Sequence, residues 1–293
     1  MLNMVKREDP KPLEERIRWQ EIGGCEEAKN ELINLSIGIK LPSIYSEYGI
    51  TPPKGIILHG PPGTGKTMLA KALATEVNCQ CLSINLADIV TMWYGESEKN
   101  LQKAFDTAKK YSKEQGACIM YFDEIDAIAG KRGNDTSGVN RRIMSTFLTN
   151  LDGIESRSNI FLIGSTNDPE YLDEAFTRPG RIDRIIKIKL PNDKERADIF
   201  RIYIEKVTSG ATTKYIGELD YEILSKLSRG MSGADIFEIV RRTCEVKMWG
   251  DLNATTNTIN SLLLTEDFLL SIRNYDPSQG GSKHYARSIG FNN

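Results

Sequence analysis

The chain is 293 residues long, 40% hydrophobic and 27% charged, which supplies a substantial core and room for two domains. Its 38 Lys and Arg nearly balance 40 Asp and Glu, which argues against a strongly basic nucleic-acid binder and leaves local basic patches open. No stretch approaches about 18 uncharged apolar residues, and Met1 to Glu8 lacks the apolar core of a signal peptide, so no membrane insertion is expected and the default address is cytoplasmic or nuclear.

Residues 1–17 are charged, carry Pro10 and Pro12 and show no apolar periodicity, so they read as an arm or linker. From 18 to 191 apolar strands alternate with helical patterns. The first strand, Gly55 to His59, runs into Gly60-Pro61-Pro62-Gly63-Thr64-Gly65-Lys66-Thr67 and then into a helical stretch, Met68 to Ala74. The eight residues match G-x-x-x-x-G-K-[ST] in full, and strand, loop and helix are the context that a P-loop needs. Glycines let backbone N–H groups turn toward a polyphosphate without Cβ clashes, while the helix N-terminus adds its partial positive charge. Pro62, Gly63, Thr64, Gly65, Lys66, Thr67 and Met68 are therefore candidate contacts to a nucleoside triphosphate. Lys66 would reach the β- and γ-phosphates and the Thr67 hydroxyl would ligate Mg²⁺. His59, which ends the strand, reads as a packing or hydrogen-bonding residue.

A second strand is predicted over Cys81 to Asn85 and a third over Cys118 to Phe122, the latter ending in Asp123-Glu124. This pair is expected at the carboxyl end of a parallel strand neighbouring the phosphate loop. Asp123 would hold Mg²⁺ through water, and Glu124 would act as general base toward the attacking water. The fourth strand, Ile160 to Ser165, leads into Thr166-Asn167, and a fifth spans Ile185 to Leu190. Five strands separated by helices imply an α/β fold, a parallel sheet with helices on both faces.

Beyond Asp193 the strand patterns stop and helices are predicted over 194–207, 220–228, 233–249 and 265–272, a small α-helical lid domain spanning 192–275. Ser232 precedes the third of these helices as its N-cap, and Thr265-Glu266-Asp267 opens the fourth. Residues 276–293 form a tail containing Gly280-Gly281-Ser282, with Tyr285 and Phe291 as candidate docking aromatics. The five cysteines, Cys25, Cys79, Cys81, Cys118 and Cys244, have no zinc spacing and read as free thiols.

Ser165-Thr166-Asn167-Asp168, followed by Leu172 to Arg184 with its Arg178-Pro179-Gly180-Arg181, resembles the second region of homology of the AAA ATPase family. With the two phosphate- and metal-binding segments, the resemblance spans about 18–275. It is closest to the valosin-containing-protein-like and proteasomal branch, through Trp19 to Gly24, Gly49 to Gly55, Met92 to Glu98 and Gly230 to Asp235. The resemblance implies ATP and Mg²⁺ as cofactors, Asn167 as the polar sensor that orients water, and Arg178 and Arg181 as arginine fingers acting on a neighbouring subunit. Fingers that act in trans leave a monomer without a complete active site, and the resemblance implies a homo-hexameric ring. Trp93 and Tyr94, in Met92-Trp93-Tyr94-Gly95, resemble the pore loop that grips an extended polypeptide, and Gly130 to Gly138 a second loop below it. Asp152-Gly153-Ile154 resembles a segment that signals between subunits, with Arg141-Arg142 on the preceding helix.

Gly233-Ala234 stands where the wider superfamily has a sensor arginine; by resemblance it packs near the adenine, with Ile22 and Gly23 on the other side. Tyr203 replaces a histidine that relatives often place near the ribose. No His-Glu-x-x-His segment follows, which disfavours the membrane-protease branch. The expected activity is ATP hydrolysis coupled to unfolding, translocating or remodelling protein substrates, with no specific nucleic acid and an unknown adaptor. The alternatives are an ATP-switched assembly scaffold and a severing or membrane-complex remodelling AAA protein. A small-molecule P-loop kinase stands third, because it would not need Arg178 and Arg181 in trans.

Overall fold

Five short apolar runs, each too short for a helix, become five parallel strands; those at 55–59, 80–85 and 118–123 are each followed by a helical segment that carries the chain back across the sheet, whereas between 160–166 and 184–187, where a helix was expected, the described residues hold only the 3-10 turn Pro169–Tyr171. The computed structural model describes residues 16–50, 53–86, 89, 97–129, 139–154, 159–176, 178, 180–210, 215–253 and 262–276. The strands are β1 (Gly55–His59), β2 (Gln80–Asn85), β3 (Cys118–Asp123), β4 (Ile160–Thr166) and β5 (Arg184–Lys187). Among the described residues the helices before β5 are α1 (Glu26–Lys40), α2 (Pro42–Glu47), α3 (Lys66–Val77), α4 (Ser97–Gln115), α5 (Asp126–Ala129) and α6 (Val139–Asp152). After β5 come α7 (Asp193–Ser209), α8 (Tyr221–Leu227), α9 (Gly233–Asn253) and α10 (Thr265–Arg273). The chain carries an α/β P-loop NTPase fold, a parallel five-stranded sheet with flanking helices.

The strand order is β2-β3-β4-β1-β5. The sequence reading sets the acidic strand β3 beside the phosphate-loop strand β1; the sheet instead inserts β4 between them, paired with β1 through Ile57 opposite Gly164 and with β3 through Phe122 opposite Gly164. The reason lies in burial. β4 is buried at all seven positions and needs a neighbour on each side, whereas β5 exposes three of its four residues and suits an edge. All strands being parallel, the residues following β1, β3 and β4 emerge along one edge of the sheet, which is where an open α/β sheet binds its ligands. The predicted fifth strand reaches Leu190, but the ladder ends at Lys187; the Ile188 N–H still donates to the His59 carbonyl at 2.7 Å.

The chain divides into two compact units. The first takes Met1–Trp19, Glu26–Gly60 and Lys66–Ile188; the second takes Gln20–Cys25, Pro61–Gly65 and Lys189–Asn293. In the sheet unit, α4 presents Leu101, Ala104, Phe105 and Ala108, spaced to form one helical stripe, to the sheet. Phe105, Phe122 and Phe147 pack with ring centroids 5.0–5.9 Å apart, and Phe176 lies 5.3 Å from Phe147. Each such fully buried ring contributes on the order of 1.5–3 kcal/mol.

The helical unit starts with a reciprocal cap on α7, in which the Glu195 N–H donates to Asn192 Oδ1 at 3.0 Å and the Asn192 N–H to Glu195 Oε2 at 2.8 Å. The Arg196 guanidinium, 2% exposed as a residue, donates to the Ser225 carbonyl at 2.9 Å, to the Pro191 carbonyl at 2.7 Å and to Asp193. It ties α7 to α8 above a core of Phe200, Leu224, Ile236, Ile239, Val240 and Phe268. All four helices predicted for this region are present. The five cysteines are free thiols, as the spacing indicated.

Candidate nucleotide site

In the sheet unit the predicted groups meet along the carboxyl edge. The Lys66 ammonium, in the first turn of α3, donates to the Gly60 carbonyl at 2.8 Å and to Asn167 Oδ1 at 3.1 Å. Burial pulls its pKa below the ordinary lysine value, while Asp123 and Asp126 oppose the shift. Gly60 is required here for two reasons. Its φ is 155°, and a Cβ would lie 2.0 Å from the Ile188 carbonyl oxygen.

Thr67 and Asp123, the two candidate metal groups, are joined through a residue that the sequence reading treats only as part of a strand. The Tyr121 hydroxyl lies 3.0 Å from Thr67 Oγ1 and donates to Asp123 Oδ1 at 3.2 Å. With its one proton committed to Asp123, it accepts from Thr67, whose lone pairs then remain for a cation. Ser165 Oγ also donates to Asp123 Oδ1, and so does the Glu124 N–H at 3.1 Å. All three donors reach Oδ1, and among the described residues none reaches Oδ2. Burial pushes the Tyr121 hydroxyl up to about 12, which keeps it a donor. Tyr121 and Ser165 carry a sequence signal, because each sits two residues before a named group, Asp123 and Asn167, and so shares that group's side of an extended chain.

Glu124 has φ 53°, an uncommon conformation for a non-glycine residue. Its N–H is held by Asp123 Oδ1 and, at 3.4 Å, by Ser165 Oγ. Its carboxylate is exposed and carries no hydrogen bond among the described residues. A strained backbone that presents an unpaired carboxylate fits a residue placed for chemistry rather than for packing.

The two candidate fingers differ. Arg178 is exposed and makes no ion pair among the described residues. Arg181 is committed to its own chain: Nε and Nη2 donate to the two Asp152 oxygens at 2.8 and 2.7 Å, and Nη1 donates to the Ala175 carbonyl at 2.6 Å. The bidentate pair holds the Asp152 carboxyl below its usual range and raises Arg181. Arg142, on α6, lies 3.8 Å from Glu98.

In the helical unit a second set of predicted residues converges. Residues 61–65 of the phosphate loop turn through Gly63 (φ 73°) and Gly65 (φ 91°), and Thr64 Oγ1 donates to the Pro61 carbonyl at 2.8 Å. The Ala234 N–H donates to the Gly63 carbonyl at 3.0 Å. A Cβ on Gly63 would stand 2.6 Å from Ser232 Oγ and 2.9 Å from Ala234 Cβ. Pro62 and Gly63 are exposed, and Gly233 is partly so. Ile22 is buried, and Gly23 lies against Ile199 of α7. Cys25, which was given no role, donates its N–H to Glu195 Oε1 at 3.0 Å and its Sγ–H to the Thr64 carbonyl at 3.6 Å. Tyr203 packs edge-on against Phe237 at 5.1 Å, and burial raises its hydroxyl. Met68 is half-buried in the first turn of α3, in the sheet unit.

Trp93, Tyr94 and the loop from Gly130 to Gly138 lie outside the described residues. Among the described residues no group of three His, Cys, Asp or Glu is placed to hold a metal ion, and no helix is long and apolar enough to cross a membrane. The family model described as ATPase family associated with various cellular activities (AAA) matches residues 56–190, a span that runs from β1 through the Arg181 segment.

Proposed function

Since the chain carries an AAA ATPase domain, a nucleotide-binding hydrolase module, we propose that it hydrolyses ATP with Mg²⁺ as a homo-hexameric ring of the valosin-containing-protein-like and proteasomal branch and uses that energy to unfold, translocate or remodel protein substrates. The observation that carries the hydrolytic reading is the Thr67–Tyr121–Asp123 chain of hydroxyls and carboxylate beside an unpaired Glu124. When bound, Mg²⁺ would neutralise phosphate charge as it develops. Thr67 Oγ and Asp123 Oδ2, hard oxygen donors, suit a small cation that keeps most of its waters, with Asp123 acting through water.

Lys66 leaves the Gly60 carbonyl and Asn167 for the β- and γ-phosphates, which replaces two neutral acceptors with charged ones. Asn167 is then released to orient water, since an amide donates and accepts at once. Glu124 accepts the proton of that water at its free carboxylate. Ile22, Gly23, Gly233 and Ala234 receive the base, and residues 62–65 wrap the phosphates through backbone N–H groups. Arg178 is the guanidinium available to a neighbouring copy, whereas Arg181 must first leave Asp152. Trp93 and Tyr94 would grip the polypeptide, and the ring would work in the cytoplasm or nucleus.

The test is ATP hydrolysis across a protein-concentration series with mass read by light scattering, for wild type, Glu124→Gln and the Trp93→Ala/Tyr94→Ala double variant. Specific activity should rise together with a hexamer mass, Glu124→Gln should be inactive, and the double variant should hydrolyse ATP while failing to unfold a tagged substrate. Equal activity from a monomer sinks the ring. A double variant that still unfolds substrate sinks the threading.

A further inference from the structure

We infer that Tyr275 is a positioning residue of the nucleotide site: from 40 residues beyond Asp235, its hydroxyl holds the first turn of α9 in the register that supports the phosphate loop. The inference rests on the nucleotide reading above and concerns only groups in the helical unit.

The support of the loop is narrow. Residues 61–65 meet α9 where the Ala234 N–H donates to the Gly63 carbonyl and where Ser232 and Ala234 leave no room for a Cβ on Gly63. A shift of this turn by a fraction of an ångström therefore moves the loop or breaks its bond. Asp235 fixes the turn. Its Oδ2 accepts from the Ser232 N–H and from Ser232 Oγ, both at 2.7 Å, and the Asp235 N–H returns a bond to Ser232 Oγ at 3.3 Å. A carboxylate held only there could still rotate about its side chain. Its other oxygen, Oδ1, accepts from the Tyr275 hydroxyl at 2.7 Å, so both oxygens are committed and the rotation is stopped.

Tyr275 is itself anchored. It follows α10, its N–H donates to the Ile272 carbonyl at 3.2 Å, and its ring packs on the helical core with the Arg242 guanidinium 5.9 Å from its centre. Burial first, and Asp235 second, raise the hydroxyl pKa, so it donates across the whole working range of pH. The end of α10 is thereby connected to the loop through one charge-assisted bond.

The experiment uses the full chain and the fluorescent nucleotide N-methylanthraniloyl-ADP. Tyr275→Phe should raise its Kd about five- to tenfold and raise the KM for ATP in step, with kcat at saturating ATP changed less than about twofold, the share of a charged hydrogen bond that reaches the loop. Asp235→Asn, whose amide can serve the cap or Tyr275 but not both as acceptor, should give a shift of the same kind. Thr243→Val is the comparison. It removes the 2.8 Å bond from Thr243 Oγ1 to Ser271 Oγ between the same two helices, and should lower Tm without moving Kd. A Tyr275→Phe chain that folds and binds like wild type overturns the inference, as does a Thr243→Val chain whose Kd moves equally. A wild-type chain that binds no nucleotide overturns the nucleotide reading itself, and the inference with it.

Discussion

The candidate nucleotide contacts within the sheet unit differ in kind from those within the helical unit. Along the edge of the sheet, the groups are charged and hydroxylic side chains tied to one another, Lys66 to Asn167 and Thr67 through Tyr121 to Asp123. In the helical unit they are backbone N–H and C=O groups with small or apolar side chains, as where Ala234 meets Gly63. The first arrangement can move protons and hold a cation. The second can only hold a shape, and it does so at van der Waals tolerance. Substitutions on the sheet side should therefore act on turnover, and substitutions on the helical side on affinity or on folding.

The largest expected effect separates two arginines within the sheet unit. Arg178→Ala should lower the turnover of the assembled protein by about 10³- to 10⁵-fold if this guanidinium reaches a neighbouring active site. Arg181→Ala, which also strands Asp152, should cost stability as well as activity. Melting curves run beside the assays would show this, and equal stability of the two variants would break the distinction. Glu124→Gln comes next. It should reduce hydrolysis about 10²- to 10⁴-fold while binding N-methylanthraniloyl-ADP as wild type does, and a matching loss of binding would place Glu124 in the fold rather than in the chemistry.

On the helical side, Arg196→Met leaves the Ser225 and Pro191 carbonyls without their donor and should cost about 2–4 kcal/mol in urea unfolding, a change too large for a surface residue. The smallest expected effect lies back in the sheet unit, where Tyr121→Phe should slow turnover about three- to tenfold and shift the Mg²⁺ concentration needed for half-maximal rate upward, because Thr67 then loses the acceptor that orients its proton. An unchanged Mg²⁺ requirement would reduce Tyr121 to a packing residue.

Much of the sheet was legible in the chain. An apolar run of five or six residues between polar breaks is a buried strand wherever it occurs, and β1, β2, β3 and β4 begin and end within one residue of their predicted limits. The phosphate loop was legible because its glycines, Lys66 and Thr67 act through fixed spacing. The order of the strands was not legible, since hydrophobic runs say that a strand is buried but not beside which neighbour. The structure places β4 rather than β3 next to β1. Tyr121 and Ser165 were only partly legible: the alternation sets each on the side of Asp123 or Asn167, but the distant partner of each hydroxyl, Thr67 on α3 for Tyr121 and Asp123 on β3 for Ser165, comes from another element.

The sequence by itself determined that a P-loop, an acidic strand end and an asparagine strand end belong to one parallel sheet, and that a helical region follows it. These features are local, set by side-chain period, glycine conformation and capping within a few residues. Only the tertiary structure decided that Arg181 is bound to Asp152 while Arg178 is not, and that Tyr275 reaches Asp235 across 40 residues. Such pairings depend on where separate elements come to rest, and a single hydrogen bond between distant residues leaves no periodic trace in the chain that makes it.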